Sequence, residues 1–219
     1  MTKTATITAG LSLAGVVVLG SAVLAYRVFD GQDDKPVQRQ RLHKAEVKRV
    51  ISGHKIKLES DEELIYAGIR CPYPNEPMFE EAKRRNIELV EGKTIRMRFD
   101  KETRDRKGRL LAYVTSGGTF VNEALVREGL AYVRLTPDTR RYADELLAAQ
   151  AQARQQERGL WQRHVKDVRG GYVADSKYGN FHKMSCEQAI NIKPERRVTF
   201  DARDDAFDSG FAHCTKCRP

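Results

Sequence analysis

Long apolar runs are nearly absent from this 219-residue chain, and its mean hydropathy of -0.59 excludes a polytopic membrane protein. One stretch departs from this. Thr4 to Tyr26 (TATITAGLSLAGVVVLGSAVLAY) is an uncharged run of 23 residues, enough for one helix to cross a hydrocarbon core about 30 Å thick. A cleaved signal peptide competes with a retained anchor over residues 4–26, because Val23-Leu24-Ala25 can serve as a small-residue cleavage site. The run is longer than the roughly 7–15 apolar residues of a signal peptide, and only Lys3 precedes it, which favours the anchor. Arg27, Lys35, Arg39, Arg41 and Lys44 follow the span, and that bias favours a single-pass protein with its soluble part in the cytoplasm over an exported form.

Cysteine is also scarce. Three of the four cysteines lie beyond residue 185, so a disulfide there leaves an odd one over. Apolar periodicity is missing from Phe29 to Gln40 (FDGQDDKPVQRQ), which marks residues 27–41 as a solvated linker and starts the folded part near Leu42. Acidic charge is in deficit: the chain carries +9, and because both ends are nearly balanced the whole surplus falls on residues 35–174. A basic domain of this kind suits nucleic acid, an anionic membrane surface, or simple solubility.

Residues 42–165 read as an α+β domain. Alternation marks strands at Ala45–Ile51, His54–Glu59, Glu63–Ile69, Thr94–Phe99 and Arg109–Thr115. Helical spacing marks Pro77–Val90, Phe120–Glu128 and Pro137–Trp161. Five short strands with helices between and after them point to a small barrel.

Asp105 to Tyr113 (DRKGRLLAY) followed by Val121 to Ala131 (VNEALVREGLA) resembles the signature of the staphylococcal nuclease (thermonuclease) family. YAGIRCP at residues 66–72 is similar to the family's pocket strand, EEAKRR at 80–85 to its first helix, and ERGLW at 157–161 to its C-terminal end. The resemblance covers about residues 43–162 and implies an OB-fold, a five-stranded β-barrel with packed helices. It also implies Ca²⁺-assisted phosphodiester hydrolysis, with carboxylates on the metal, a glutamate on the attacking water and two arginines on the phosphate.

Position by position, this chain departs from that chemistry. The first calcium carboxylate corresponds to His54 and the second to Arg70, the glutamate to Tyr73, and the first arginine to Ile65; the second arginine is kept as Arg109. A hard cation needs several oxygen ligands, so calcium is not expected as a cofactor. Glu76, three residues beyond Tyr73, offers a substitute base, with His54 as another; the alternative places Glu76 at a helix start. Arg109 is either a phosphate clamp or a solvated charge, and Cys71 either a nucleophile or a packing residue. Binding does not need hydrolysis. Arg70, Arg106, Lys107 and Arg109, with Lys48 and Arg49, supply charge for a nucleic-acid groove, and Tyr73 supplies a ring for stacking. Tyr132 is either a second ring or, like Tyr113, part of the barrel.

In the tail, His182 and Cys186 are separated by three residues, and Cys214-Thr-Lys-Cys217 follows after 27 more. One imidazole and three thiolates form a tetrahedral set of the kind structural Zn²⁺ takes, and a segment of about 45 residues needs such a staple. A redox Cys-x-x-Cys, a disulfide, and His213 in place of His182 are the alternatives. Residues 172–219 resemble the small zinc module of the bacterial Ada DNA-repair protein. In that module a cysteine at the position of His182 accepts a methyl group, which an imidazole cannot do, so the resemblance implies a structural clip that helps grip DNA.

The expectation is a membrane-anchored, thermonuclease-like protein that binds DNA or RNA with a degenerate active site and a zinc-bound tail. A phosphodiesterase rebuilt around Arg109 and Glu76 is the first alternative, and a non-catalytic scaffold tethered at the membrane the second.

Overall fold

The alternation read at residues 45–51 becomes β1, His43–Ser52, which buries Val47 and Val50. Two irregularities in its register, between Val47 and Arg49 and between Val50 and Ser52, coil the strand. It therefore pairs β2, Lys55–Leu58, on one side and β5, Thr94–Arg98, on the other. With β3, Glu63–Tyr66, β6, Leu110–Ser116, and the two-residue β7, Thr119–Phe120, at the edge, the strand order is β3-β2-β1-β5-β6-β7. Parallel pairing of β3 with β6, Leu64 opposite Leu110 and Tyr66 opposite Ala112, closes the five strands into the expected barrel. Ile56, Leu58, Leu64, Ile95 and Val114 fill it, and burying each aliphatic side chain contributes about 1.5–3 kcal/mol. The helices α1, Phe79–Val90, α2, Val121–Arg127, and α3, Ala143–Gln155, pack beside it.

The computed structural model describes residues 43–162 and 171–219. The apolar run 4–26 and the linker 27–41 lie outside the described residues, among which no helix is long and apolar enough to cross a membrane.

Two elements depart from their periodicity. The strand expected over 63–69 breaks after Tyr66: Gly68 takes a φ of 73°, and Ile69–Arg70 becomes β4, which pairs β8, Tyr132–Val133. Asn122 fixes this break, donating to the Ala67 carbonyl at 2.8 Å while accepting the Val114 N–H at 2.9 Å. Helix was expected over 137–161. The Thr139 hydroxyl instead accepts the Thr136 N–H at 3.0 Å and holds a turn, so α3 begins only at Ala143. Beyond α3, positive φ at Glu157 and Gly159 leads into a single 3-10 turn, Gly159–Trp161.

The tail forms a sheet of order β11-β9-β10-β12, where β9 is Tyr172–Asp175, β10 Asn180–Lys183, β11 Arg197–Phe200 and β12 Ala212–His213. Two short helices, α4 at Glu187–Ile190 and α5 at Arg203–Asp208, complete it. Its own buried cluster is small, Val173, Cys186, Ala189, Ile192 and Cys214, and its large aromatic side chains pack elsewhere. Its Tyr172, Phe181 and Phe207 share one buried cluster with Tyr132, Ala153 and Trp161 of the preceding domain. Tyr132 stacks on Phe207 at 5.5 Å, and Trp161 meets Phe207 edge-on at 4.9 Å. Gln150, 1% exposed, accepts the Val133 N–H and donates to the Phe207 carbonyl, tying α3 to both halves.

Gln150→Ala leaves two buried backbone groups without partners, at about 1–3 kcal/mol each. Urea unfolding is expected to show a loss of about 2–6 kcal/mol; a loss within error would show that the bridge does not hold the halves together.

Candidate functional site

A cleft of about 680 Å³ opens beside the barrel over His54, Ile65 and Gly68. Tyr73 and Pro74 border it from the loop after β4, Arg134 from the segment after β8, and Lys177 and Tyr178 from the turn joining β9 to β10. The loop between β5 and β6 supplies Arg106, Lys107 and Arg109. Asp105 shapes that loop: one carboxylate oxygen accepts the N–H groups of Lys107 and Arg109 at 2.9 and 3.0 Å, and Gly108 turns the chain at a φ of 77°. The other oxygen accepts from Arg109 Nε at 2.8 Å. Burial pushes the Asp105 carboxyl up, but the Arg109 guanidinium and the two backbone donors outweigh it and hold it below the usual carboxylate range. Arg109 thus reaches the cleft with a carboxylate already on it, and Lys107 is exposed at the edge.

His54 sits 7% exposed at the cleft and accepts the Cys71 N–H on Nδ1 at 3.2 Å, which puts its proton on Nε2. Burial, then Arg70, Arg134, Lys55 and Arg109, push its pKa down to about 3, so it is a neutral hydrogen-bonding group and a poor base near neutrality. Cys71 is wholly buried, with its thiol pushed up by burial, and takes the packing role. Tyr73 presents a ring 43% exposed, edge-on to His54 at 6.1 Å.

Arg70 and Glu76 stand elsewhere than on the cleft surface. Arg70, expected to face nucleic acid, is 2% exposed. Its guanidinium donates to Glu76 Oε2 at 3.2 Å and to His213 Nε2 at 2.8 Å, and lies 5.5 and 5.2 Å from the rings of Tyr73 and Tyr132. Glu76, expected as a substitute base, also accepts the Tyr73 N–H at 2.8 Å; it is buried and absent from the cleft lining. The alternative of Glu76 at a helix start fails too, because Asn75 and Met78 take positive φ and α1 begins at Phe79. Tyr132 is buried between Trp161, Phe207 and His213 and offers no stacking face. Arg106 lies over the Tyr178 ring at 4.3 Å and donates to its hydroxyl at 2.6 Å. Sequence reasoning missed Arg134, Lys177 and Tyr178, which come to the cleft from remote segments with no local pattern to announce them.

The four expected metal ligands come together. His182 on β10, Cys186 at the start of α4, and Cys214 and Cys217 after β12 place their donor atoms within 4.8 Å of one another. His182 Nδ1 and Cys186 Sγ are 3.7 Å apart, the edge of a tetrahedron whose ligands lie about 2.0–2.3 Å from its centre. Burial pushes Cys186 up, but the N–H groups of Gln188 and Ala189 and the neighbouring thiols outweigh it and hold it below the usual thiol value. Cys217 is pushed up to about 12 by burial and by its neighbours Cys214 and Cys186. A donor set in which three sulfurs crowd together is one that a cation relieves, so these residues fit a metal ion. His213 stays outside the set, held on Arg70 and bonded through Nδ1 to the Cys214 carbonyl at 3.1 Å.

The barrel and its cleft have relatives. The staphylococcal nuclease homologue family model matches residues 63–163. This region is a staphylococcal nuclease homologue domain. The chain is 34% identical over 125 residues to the SPbeta prophage-derived endonuclease YokF of Bacillus subtilis (strain 168), an alignment covering 54% of the chain and 40% of that protein. It is 37% identical over 103 residues to Endonuclease YncB of the same organism, covering 46% of each chain. To the Thermonuclease of Staphylococcus intermedius it is 29% identical over 162 residues, 68% of the chain and 96% of that relative. Most of the cleft lining falls within the matched residues, while Ile51, Ser52, His54 and Lys55 precede them and Lys177 and Tyr178 follow them.

Because the unfolded chain takes up the proton that folded His54 refuses, its contribution is present above pH 6.5 and is lost as pH falls toward about 3. Each pH unit in that window costs at most about 1.4 kcal/mol. Urea unfolding at several pH values is expected to show a shallower acid loss in His54→Asn than in the wild type; parallel curves would place the lost protonation elsewhere.

Proposed function

We propose that the chain binds nucleic acid in the cleft of its nuclease-homologue domain without hydrolysing it by the calcium route. The observation that carries this is the cleft's lining: Lys55, Arg106, Lys107, Arg109, Arg134 and Lys177 surround the exposed ring of Tyr73. Cations that track a phosphate backbone around a stacking face are what single strands require of an OB-fold. Endonuclease and thermonuclease relatives support a polynucleotide as the occupant. Where the family resemblance sets calcium carboxylates this chain has neutral His54 and buried Arg70, and where it sets the glutamate it has Tyr73. Glu76 is held on Arg70 and the Tyr73 N–H, away from any water in the cleft.

The tail's metal is read as structural Zn²⁺, since one imidazole and three thiolates close a tetrahedron and leave no open position for chemistry. The run at 4–26 is read as a single membrane anchor with the cleft on the cytoplasmic side, where zinc thiolates stay reduced.

The full chain, incubated with labelled single- and double-stranded DNA and RNA in Ca²⁺, Mg²⁺ or chelator, is expected to retard nucleic acid and leave it intact. Arg109→Ala should weaken binding and cut the salt slope by about 0.7, while Asp105→Asn, which uncovers Arg109 and removes an anion, should tighten it. Metal-dependent cleavage abolished by Arg109→Ala would overturn the non-catalytic reading, and neither retardation nor cleavage would leave a membrane-tethered scaffold. Metal analysis is expected to return about one zinc per chain, lost in His182→Ala and Cys214→Ala together with several degrees of thermal stability.

A further inference from the structure

A second cavity of about 370 Å³ lies against the cleft and shares Arg106, Arg134 and Tyr178 with it. Its far side belongs to the tail, where Asn180, His182, Asn191 and Arg196 line it. The shared wall is therefore the seam between the two halves. Tyr178 is its centre: Arg106 from the barrel lies 4.3 Å from the ring, and Arg196 from the tail lies 5.2 Å from it. Arg106 donates to the phenol oxygen at 2.6 Å, and the two guanidiniums together draw the Tyr178 hydroxyl below its usual range. Arg134 joins them, donating from Nε to the Tyr178 carbonyl at 3.0 Å, and Lys177 stands 6.0 Å from the ring.

Cations from four separate segments thus converge on Tyr178. Among the described residues Arg196 pairs with Asp175, which is 3.4 Å away, buried, and also accepts the Lys177 N–H at 2.9 Å. One buried acid cannot offset this cluster, and like charges gathered on a neutral ring are held at a cost that a bound anion removes. The guanidinium of Arg196 enters with its Nε buried and without a hydrogen-bond partner among the described residues.

We propose that this seam is a phosphate subsite which continues the cleft, so that a single strand lying over Tyr73 runs on across Tyr178 and has a further backbone phosphate gripped by Arg106, Arg134 and Arg196. The proposal rests on reading the cleft as a nucleic-acid groove. It makes the tail part of the binding surface: the metal fixes β10 and α4, and these place Asn180, His182 and Asn191 on the far wall. Guanidinium forks suit phosphate oxygens better than lysine does, and all three grips here are arginines.

The full chain loaded with zinc is titrated with fluorescent oligo-dT of about 6 and about 20 nucleotides, lengths that bracket the reach of a single OB-fold. Wild type should bind the long strand at least about tenfold more tightly than the short one. Arg196→Gln should bind the short strand as wild type does, lose several-fold on the long strand, and lower the long-strand salt slope by about 0.7. Arg196→Lys, which keeps a cation beside Asp175, should restore much of the loss; equal zinc content and thermal midpoints identify the variants as folded. If folded Arg196→Gln binds the long strand no differently from wild type, with an unchanged salt slope, the seam proposal is overturned and the cleft reading stands. If wild type binds neither strand, the cleft reading falls and takes the seam with it.

Discussion

The buried guanidinium of Arg70 is the constraint on which the remainder of this structure leans. A charge taken out of water costs several kcal/mol unless it is paired and bonded, so wherever this arginine goes its partners must follow. Glu76 follows by folding the loop after β4 back on itself, which sets Tyr73 at the cleft. His213 follows from the far end of the chain, and its tautomer is fixed: Nε2 accepts from Arg70 and Nδ1 donates to the Cys214 carbonyl. One side chain thereby joins the cleft loop to the backbone of a metal ligand. The rings of Tyr73 and Tyr132 add contacts worth about 0.5–2 kcal/mol each.

Cations outnumber acids in the cleft lining. A hydrolytic site of the calcium type concentrates negative charge to hold a cation, whereas Lys55, Arg106, Lys107, Arg109, Arg134 and Lys177 line this cleft. Neutral His54 adds a donor without adding charge. Acids line the cleft too, Glu102, Asp105 and Asp138, and the Asp105 carboxylate both builds the loop and partly neutralises Arg109. Affinity in such a groove is a balance between that internal pairing and the incoming phosphates.

The barrel was legible in the sequence because its information is local: alternation in β1, β2, β5 and β6 is dictated by one buried face per strand. The His182, Cys186, Cys214 and Cys217 cluster was legible for a similar reason, since a His-x-x-x-Cys and a Cys-x-x-Cys in one short tail are local patterns. The break at Gly68 was not, because residues 63–69 keep strand-like composition and the interruption is imposed by Asn122 and by pairing with β8. Arg70 was read as a surface cation since nothing near it in sequence announces a partner 143 residues away. Tyr132, Trp161 and Phe207 likewise carry no local sign that they will share one cluster. What was missed is what depends on segments remote in sequence meeting.

Where they meet, the backbone leaves no slack. A Cβ at Gly179 would lie 2.3 Å from the Leu135 carbonyl oxygen, and one at Gly210 would lie 2.6 Å from the Leu135 side chain, with both glycines at positive φ. The tail is therefore not a cassette that recombination can exchange freely. A replacement must arrive with two glycines already in register, and residue 135 can grow only after the tail has made room. Each half has become the other's selective environment, and descent has to carry them together.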